Sequence, residues 1–538
     1  MSFAIEVDGI TPYPRVLAAV VVILLTYHFI LHPSLISPLA KIPNAHWSAP
    51  YSRLWALSIR FNNRENRTLR AAHQRLGPII RVAPNELSIN DVDCVRTVYH
   101  GGFDKPSWYS VFDNYGVPCM FSTRSAHEHS LRKRMISHVY SKSYIHSSAA
   151  AASQAHTILF DRLLPIIQAS TTDTPKPHGL DVHSVFLAAT MDFISAYVFG
   201  LSNGTNFLQD AAYRSHWLEL YASRNNHGFY DQELPLLTRI CRALGIPFCP
   251  WFVDYANAEL GAWCRALCTS TLASSSHSHL PSPANQPVVL SALLTGLSKE
   301  AAHGPSSPLY PTALRHHDKS VASELFDHVL AGQETAGVTL TYLTWRLSQS
   351  PSLQTALRKE LLSLTPNLAL TPSGPFSLPD PKSLDALPLL HALLTETLRL
   401  HAPIPGAQPR QTPPQGCELG GYAVPGGVRV AAMAYALHRD EGVFPLPETW
   451  EPQRWLPGGG ASEQEQKEMN RAFWAFSSGG RMCVGRNFAL YEMKLIVAAI
   501  YSNYTSHVVS DDGMAEQSDG YTSRPAKERL FLRFERVE

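Results

Sequence analysis

Near the C-terminal end, Phe476-Ser-Ser-Gly479-Gly-Arg481-Met-Cys483-Val-Gly485 sets one cysteine in a loop of small residues. An arginine stands two places before it and a glycine two places after. Directly behind, Val484, Phe488, Tyr491, Leu495 and Ala499 recur at helical spacing, which predicts an amphipathic helix with one buried face. Cys483 then belongs at a helix N-terminus, where free backbone N–H groups and the positive dipole end favour a thiolate. Such a thiolate can serve as nucleophile, redox centre or metal ligand. The bland alternative is a small buried hydrophobe.

Three further groups could do chemistry or support it. An apolar stretch expected to be a long helix, from about Val321 to Arg346, carries Ala331-Gly332-Gln-Glu334-Thr335 in its middle. Glycine inside a helix costs roughly 1 kcal/mol relative to alanine, so Gly332 implies tight packing or close approach of a ligand. The acid–alcohol pair Glu334-Thr335 is hard to explain as core. Glu396 and Arg399 stand three apart in a stretch with Leu390, Leu393, Leu394 and Leu398, a spacing at which they can pair. Buried among leucines, that pair needs further partners to offset its desolvation. The third group is a basic run, His129-Ser-Leu-Arg132-Lys133-Arg134, which by itself reads as a solvated helix face.

The pattern Phe-x-x-Gly-x-Arg-x-Cys-x-Gly resembles the haem-binding loop of the cytochrome P-450 family. Ala-Gly-x-Glu-Thr, Glu396-x-x-Arg399 and Pro452-Gln-Arg454-Trp455 resemble other motifs of that family, in family order. The resemblance covers nearly the whole chain and is closest to microsomal enzymes of filamentous fungi. It implies a mainly α fold with a small β region and an N-terminal transmembrane helix. Haem b (iron protoporphyrin IX) would lie between the helix with Thr335 and the loop with Cys483. By the same resemblance Cys483 is the axial ligand of the haem iron, and Phe476, Gly479 and Gly485 shape the loop around it. Arg481 and Arg410 would bind the haem propionates, a task suited to the planar guanidinium fork. Microsomal members carry a Trp-x-x-x-Arg pair for a propionate. Aligning on Ser137-His-Val-Tyr140-Ser141 puts His129 and Lys133 at those places, with Arg132 as substitute if the register slips. Ala331 and Gly332 would lie in a locally opened helix that leaves room for dioxygen. Thr335 would hydrogen-bond the oxygen being activated, and Glu334 would help relay protons. Glu396, Arg399 and Arg454 would form a structural triad. Ala436-Leu-His438-Arg439-Asp440 matches the family as well.

A thiolate axial ligand favours O–O cleavage, and an acid–alcohol pair can supply the protons. The expected activity is therefore a monooxygenase that inserts one oxygen atom of O2 into a lipophilic small molecule by hydroxylation or epoxidation. A fungal secondary metabolite is the first substrate class; fatty acids or xenobiotics are the alternative. Electrons would come from NADPH through NADPH–cytochrome P-450 reductase, because no flavin or nicotinamide domain is legible, with cytochrome b5 as a further partner. A haem-thiolate isomerase or dehydratase and a non-catalytic haem sensor or carrier are the competing classes. The Glu334-Thr335 pair argues against both.

The remaining sequence says what must position these residues. At 538 residues, 45% hydrophobic and a formal charge of +1, the chain has an ordinary globular core and no electrostatic case for nucleic acid. Eight scattered cysteines fit no disulfide or zinc pattern and read as reduced thiols, Cys483 apart. Val16 to Ala40 carry no formal charge, so 13–36 is expected to span a membrane, with 1–12 lumenal and 37–538 as the catalytic domain. Pro33 is expected to end or kink that helix. Lys41, Arg53, Arg60 and Arg64 follow it and only Arg15 precedes it, which places the domain on the cytosolic side of the endoplasmic reticulum membrane. A helix is expected around Asn62 to Leu76, then a hairpin at Ile80-Arg-Val82 and Leu87-Ser-Ile89. The aromatic-rich loop 101–122 and the residues Phe326, Val329, Leu330 and Ile404 are expected to line a greasy pocket. Helices are expected from 145 to 300, with 272–287 and 304–317 as mobile loops. The apolar stretch Glu233 to Phe252 suits a membrane surface, a substrate gate or core.

Overall fold

His317–Ser348, a helix of 32 residues, is the axis on which the other elements pack in the computed structural model, which describes residues 13–171, 179–277, 282–370 and 377–537. From Ser320 onward it is buried on almost every side, polar residues included, and it packs lengthwise on Val182–Phe199, a helix buried nearly throughout. Between 320 and 345 only Asp327, Leu330, Ala331, Gly332 and Thr335 of the central helix are not buried. That gap in an otherwise closed core marks where the interior is hollow.

The helix behind the cysteine loop, Arg486–Tyr501, packs on the central helix. The spacing predicted one buried face, yet from Tyr491 to Tyr501 every residue is buried. Neighbours enclose it on all sides, so the polar positions Glu492 and Lys494 are buried too.

The β structure is small. Ile79–Ala83 and Glu86–Ile89 form the expected hairpin, with Ile80 opposite Ser88. Arg429–Met433 joins it in parallel and pairs antiparallel with Ala407–Gln411. A second sheet orders Leu180–Asp181, Phe531–Arg536 and Tyr504–Ser510, and a third pairs Cys417–Leu419 with Tyr422–Val424.

Several expectations change. Residues 304–317 are not a loop: Gly304–Ser306 and Tyr310–Leu314 are helical turns that lead into the central helix. Trp251–His277 runs helically into the Ser/His-rich segment, and 278–281 lie outside the described residues. Leu54–Phe61 forms a helix that the sequence reading left out. All eight cysteines are free.

Val16–Ile36 is helical, strongly apolar and not buried. It continues three residues past Pro33 by widening into π-helical turns over Tyr27–Ile36, which accommodates a residue that has no N–H to donate. Val182–Phe199 is also long and apolar enough to span a membrane, but burial identifies it as core. The expected segment 1–12 lies outside the described residues.

Candidate active site

The cysteine loop is held from three directions. Within it, the Cys483 amide donates to Phe476 O at 3.0 Å and the Met482 amide to Gly479 O at 3.1 Å. From the helix Ala126–Ile136, Lys133 Nζ donates to Gly480 O (2.9 Å) and Met482 O (3.0 Å). Arg481 reaches outward to the carbonyls of Thr123 (2.7 Å) and Arg124 (2.5 Å). Gly479 has φ +70°, and a Cβ there would lie 2.1 Å from Tyr99 O, so only glycine fits. Arg486 lies over the Phe476 ring, whereas a Cβ on Gly485 would meet no protein atom.

Cys483 is the one exposed cysteine of the eight, in the heart of a buried framework. Burial pushes its thiol up, against the pull of the Gly485 and Arg486 amides and the charges of Lys133 and Arg486. The amides at the helix N-terminus thus favour the thiolate, as expected, while burial opposes them. A bound cation would tip the balance, since coordination deprotonates a thiol.

Beside the loop lies a surplus of cationic groups. Arg481 is lowered to about 10 by burial and by Arg410. Burial, then Arg481, Lys105, Lys133 and Arg410, lowers His129 to about 2, so its imidazole stays neutral. Lys105 is lowered by burial, Arg410 and Arg481, and sits 4.1 Å from the Tyr109 ring centroid and 3.9 Å from that of Phe121. Arg410 Nη1 donates to Tyr109 Oη at 3.0 Å, and Arg481 Nε has no partner among the described residues. Like charges held together with an orphaned donor fit an anion, and carboxylates such as haem propionates match the donor set. Lys105 was missed in the sequence, where a lone lysine before Pro106 carries no signal. Lys133 holds loop carbonyls and so braces the cysteine loop. Arg132 takes no part: it turns to Thr312 (3.2 Å) and Glu324 (3.7 Å).

Across the interior, Ala331 is exposed and Thr335 half-buried. Thr335 Oγ1 donates to Ala331 O at 2.9 Å. The helix is α throughout, so the local opening implied by the resemblance is absent, and the threonine hydroxyl is parked on its own helix. Gly332 is explained by packing: a Cβ would lie 2.6 Å from Ile194 Cγ1. Glu334 points elsewhere, consistent with the ~100° turn between consecutive helical residues. It is buried in an ion pair with Arg524 and accepts from Tyr221 Oη at 2.7 Å. A cavity of about 320 Å³ reaches this pair past His183 and Gln333.

The buried pair behind the site is more complete than its spacing foretold. Arg399 forks onto Glu396 with two bonds of 2.8 Å, and Arg454 Nε and Trp455 Nε1 add bonds of 3.2 and 2.8 Å. Arg399 also donates to the carbonyls of His438, Pro447 and Thr449. His438 Nδ1 meets Arg399 O at 2.9 Å and Nε2 accepts from the Trp474 amide at 2.7 Å. It thereby ties the triad to the start of the cysteine loop, a link no spacing announced.

A cavity of about 1080 Å³ is lined by neither Cys483 nor Thr335. It opens between 107–115, 224–235, 253–261 and 518–528. Trp108, Phe112, Tyr115 and Phe326 line it, but so do Asp113, Arg224, Glu233 and Arg524. Val329 is fully buried and does not. The greasy pocket of the sequence reading is therefore a chamber with charged walls. At its rim Glu233 accepts from Trp108 Nε1 (2.8 Å) and pairs with Arg60 (3.2 Å). Because Arg60 is neutralised in this way, it weighs little in the charge asymmetry around the N-terminal helix.

The sequence model described as Cytochrome P-450 matches residues 312–530, which span the central helix, the triad and the cysteine loop. The cytochrome P-450 monooxygenase avaI of Aspergillus versicolor is 29% identical over 79% of this chain and 94% of its own length. Two others, hkm5 of Aspergillus hancockii and FGM1 of Gibberella zeae, are each 25% identical. These matches cover 87% and 96% of this chain and 85% and 95% of the relatives. Read with the one fully exposed thiol, the cationic cluster beside it and the saturated triad behind it, they make this chain similar to cytochrome P-450 monooxygenases across the central helix, the triad and the cysteine loop.

Proposed function

We propose that Cys483 is the axial ligand through which this haem-thiolate monooxygenase works, and that the lipophilic substrate reaches it through the charged-walled chamber. One observation carries the reading. Cys483, just before the helix Arg486–Tyr501, and Ala331, in the middle of the central helix, are both exposed, and the two helices pack on each other. Haem b, when bound, supplies the oxidising iron, with electrons that come from NADPH through a separate reductase.

This chain's residues have narrower tasks. Arg410, Arg481, Lys105 and neutral His129 would hold the propionates by charge and hydrogen bonds, and Lys133 fixes the loop that presents the sulfur. Thr335 supplies a hydroxyl proton at its Oγ1 once that group leaves Ala331 O. Glu334 can pass protons from the side cavity only when Arg524 releases it, so the ion pair acts as a gate on proton entry. Phe476, Gly479 and Gly485 keep the loop compact enough for one ligand geometry.

Residues 13–36 are proposed to cross the endoplasmic reticulum membrane once, with 37–538 as the catalytic domain on the cytosolic side. Leu54, Leu236, Leu244 and Trp251, each more than 65% exposed, would rest on the same bilayer. Cytochrome b5 is a proposed second electron donor. A fungal secondary metabolite is the proposed substrate class, supported by the breadth of fungal relatives. Titrating the purified holoprotein with a panel of lipophilic metabolites, and measuring NADPH consumption with reductase, tests this. Turnover without NADPH would instead support an isomerase or dehydratase.

A further inference from the structure

The chamber of about 1080 Å³ has five arginines in its wall. Three are matched by acids of the fold: Arg60 by Glu65 and Glu233, Arg242 by Asp231 and Asp254, and Arg524 by Glu334 and Glu528. Arg239 is exposed, where water screens its charge and a partner gains little. Arg224 is the fifth. It lies half-buried on the helix Ala211–Asn226 and forms neither a hydrogen bond nor an ion pair among the described residues.

The Arg224 guanidinium sits over the Phe326 ring, 5.3 Å from its centroid. Cation–π attraction holds it there, but an aromatic face leaves the in-plane N–H groups without oxygen acceptors. Burial lowers its pKa, and Tyr221, Asp327 and Tyr115 raise it without bonding to it. The acids of the same wall are better served. Besides the pairs above, Asp519 accepts the amides of Asn66 (2.9 Å) and Arg67 (3.1 Å). Burial pushes the Asp113 carboxyl up toward its neutral form, against a bond from Ser122 and the charges of Arg132 and Arg124. Among the described residues the wall thus holds one half-buried charge in want of a partner, and it is a cation.

We propose that Arg224 is a specificity-determining residue that binds a carboxylate on an otherwise lipophilic substrate in this chamber. The planar fork takes the carboxylate with two bonds, and the rings of Trp108, Phe112, Tyr115 and Phe326 in the same wall take the apolar body. The inference rests on the chamber being the substrate's route, as proposed above. It gives the substrate its chemical class, a lipophilic carboxylic acid ionised at neutral pH.

Three probes of one chain length decide it: decanoate, decan-1-ol and decyltrimethylammonium, each titrated below its micelle concentration into the holoprotein. Calorimetry reads occupancy whether or not the haem responds. Wild type is expected to bind decanoate about tenfold tighter than the alcohol. Arg224→Gln should bring that ratio near one and leave the affinity for decan-1-ol unchanged within about twofold. Arg224→Lys should keep part of the preference, and Arg239→Gln should keep all of it. A wild type that does not prefer decanoate, or a preference that survives Arg224→Gln or disappears in Arg239→Gln, would overturn the proposal. Loss of haem from Arg224→Gln would also overturn it, by making the residue a brace for Phe326. The ferrous–CO spectrum of the same wild-type sample reports separately on the haem-thiolate reading: decanoate preference without the red-shifted Soret band would keep the anion site and sink the oxygenase.

Discussion

The two sides of the cysteine loop treat charge in opposite ways. Around Glu396, both carboxylate oxygens accept two or more bonds, and every Arg399 nitrogen donates to an oxygen. Around Cys483, Arg481 Nε is orphaned and four basic groups crowd together. A folded chain tolerates buried charge when partners offset desolvation. The closed cluster meets that condition with its own atoms. The open one meets it only when ligands bring the missing charges, so the difference separates scaffold from site.

Breaking the closed side should cost most. Glu396→Ala strands two arginines in the core, and removing one partner of a buried pair costs about 3–5 kcal/mol. Stable haem-loaded protein should fail to accumulate, as read by haem content and thermal melting. Normal haem content in that variant would mean the cluster is not the scaffold.

On the open side, Thr335→Ala should leave haem content and the fold intact, because its hydroxyl bonds only to its own helix. The expected loss is in coupling: NADPH oxidation continues with reductase while product per NADPH falls severalfold and peroxide appears. Unchanged coupling would remove Thr335 from proton delivery.

Gly332→Ala sharpens the border between the two sides. Its Cβ would collide with Ile194, and overpacking of this kind costs about 1–3 kcal/mol. Ile194→Ala should recover most of that loss in the double variant. No recovery would show that Gly332 makes room for a ligand and not for a neighbouring helix.

Acid sensitivity of the scaffold is the effect spread most thinly, shared among several histidines. Burial lowers His73 to about 4, and His183 and His438 to about 3, against roughly 6.5 in an unfolded chain. Above pH 6.5 these imidazoles are neutral in both states and their full contribution to stability is present. As pH falls below 6.5 the unfolded chain binds protons that the fold refuses, and each histidine removes up to about 1.4 kcal/mol per pH unit until its folded value is reached. The melting temperature should drop from pH 7 to 5, and His183→Gln should flatten that slope. A wild-type melting temperature that does not change over this range would contradict the burial.

The sequence made the closed side and the cysteine loop readable because their residues are spaced along single segments. Glu396 and Arg399 share one helix, and Phe476 to Gly485 share one loop. What joins them was hidden: His438, Trp455 and Lys105 act across the fold, where no spacing links donor to acceptor. The mid-helix glycine was ambiguous for the same reason, since Ile194 is 138 residues away. The pocket was misread because Trp108, Phe112 and Tyr115 announce apolar character, while Arg224, Glu233 and Arg524 arrive from elsewhere in the chain.

The central claim is that Cys483 ligates the haem iron, and the ferrous–CO spectrum of Cys483→Ser tests it most directly. Serine keeps the size and the loop geometry but removes the thiolate. The strongly red-shifted Soret band of the wild-type CO complex should vanish while haem remains bound; persistence of that band in Cys483→Ser would contradict the claim.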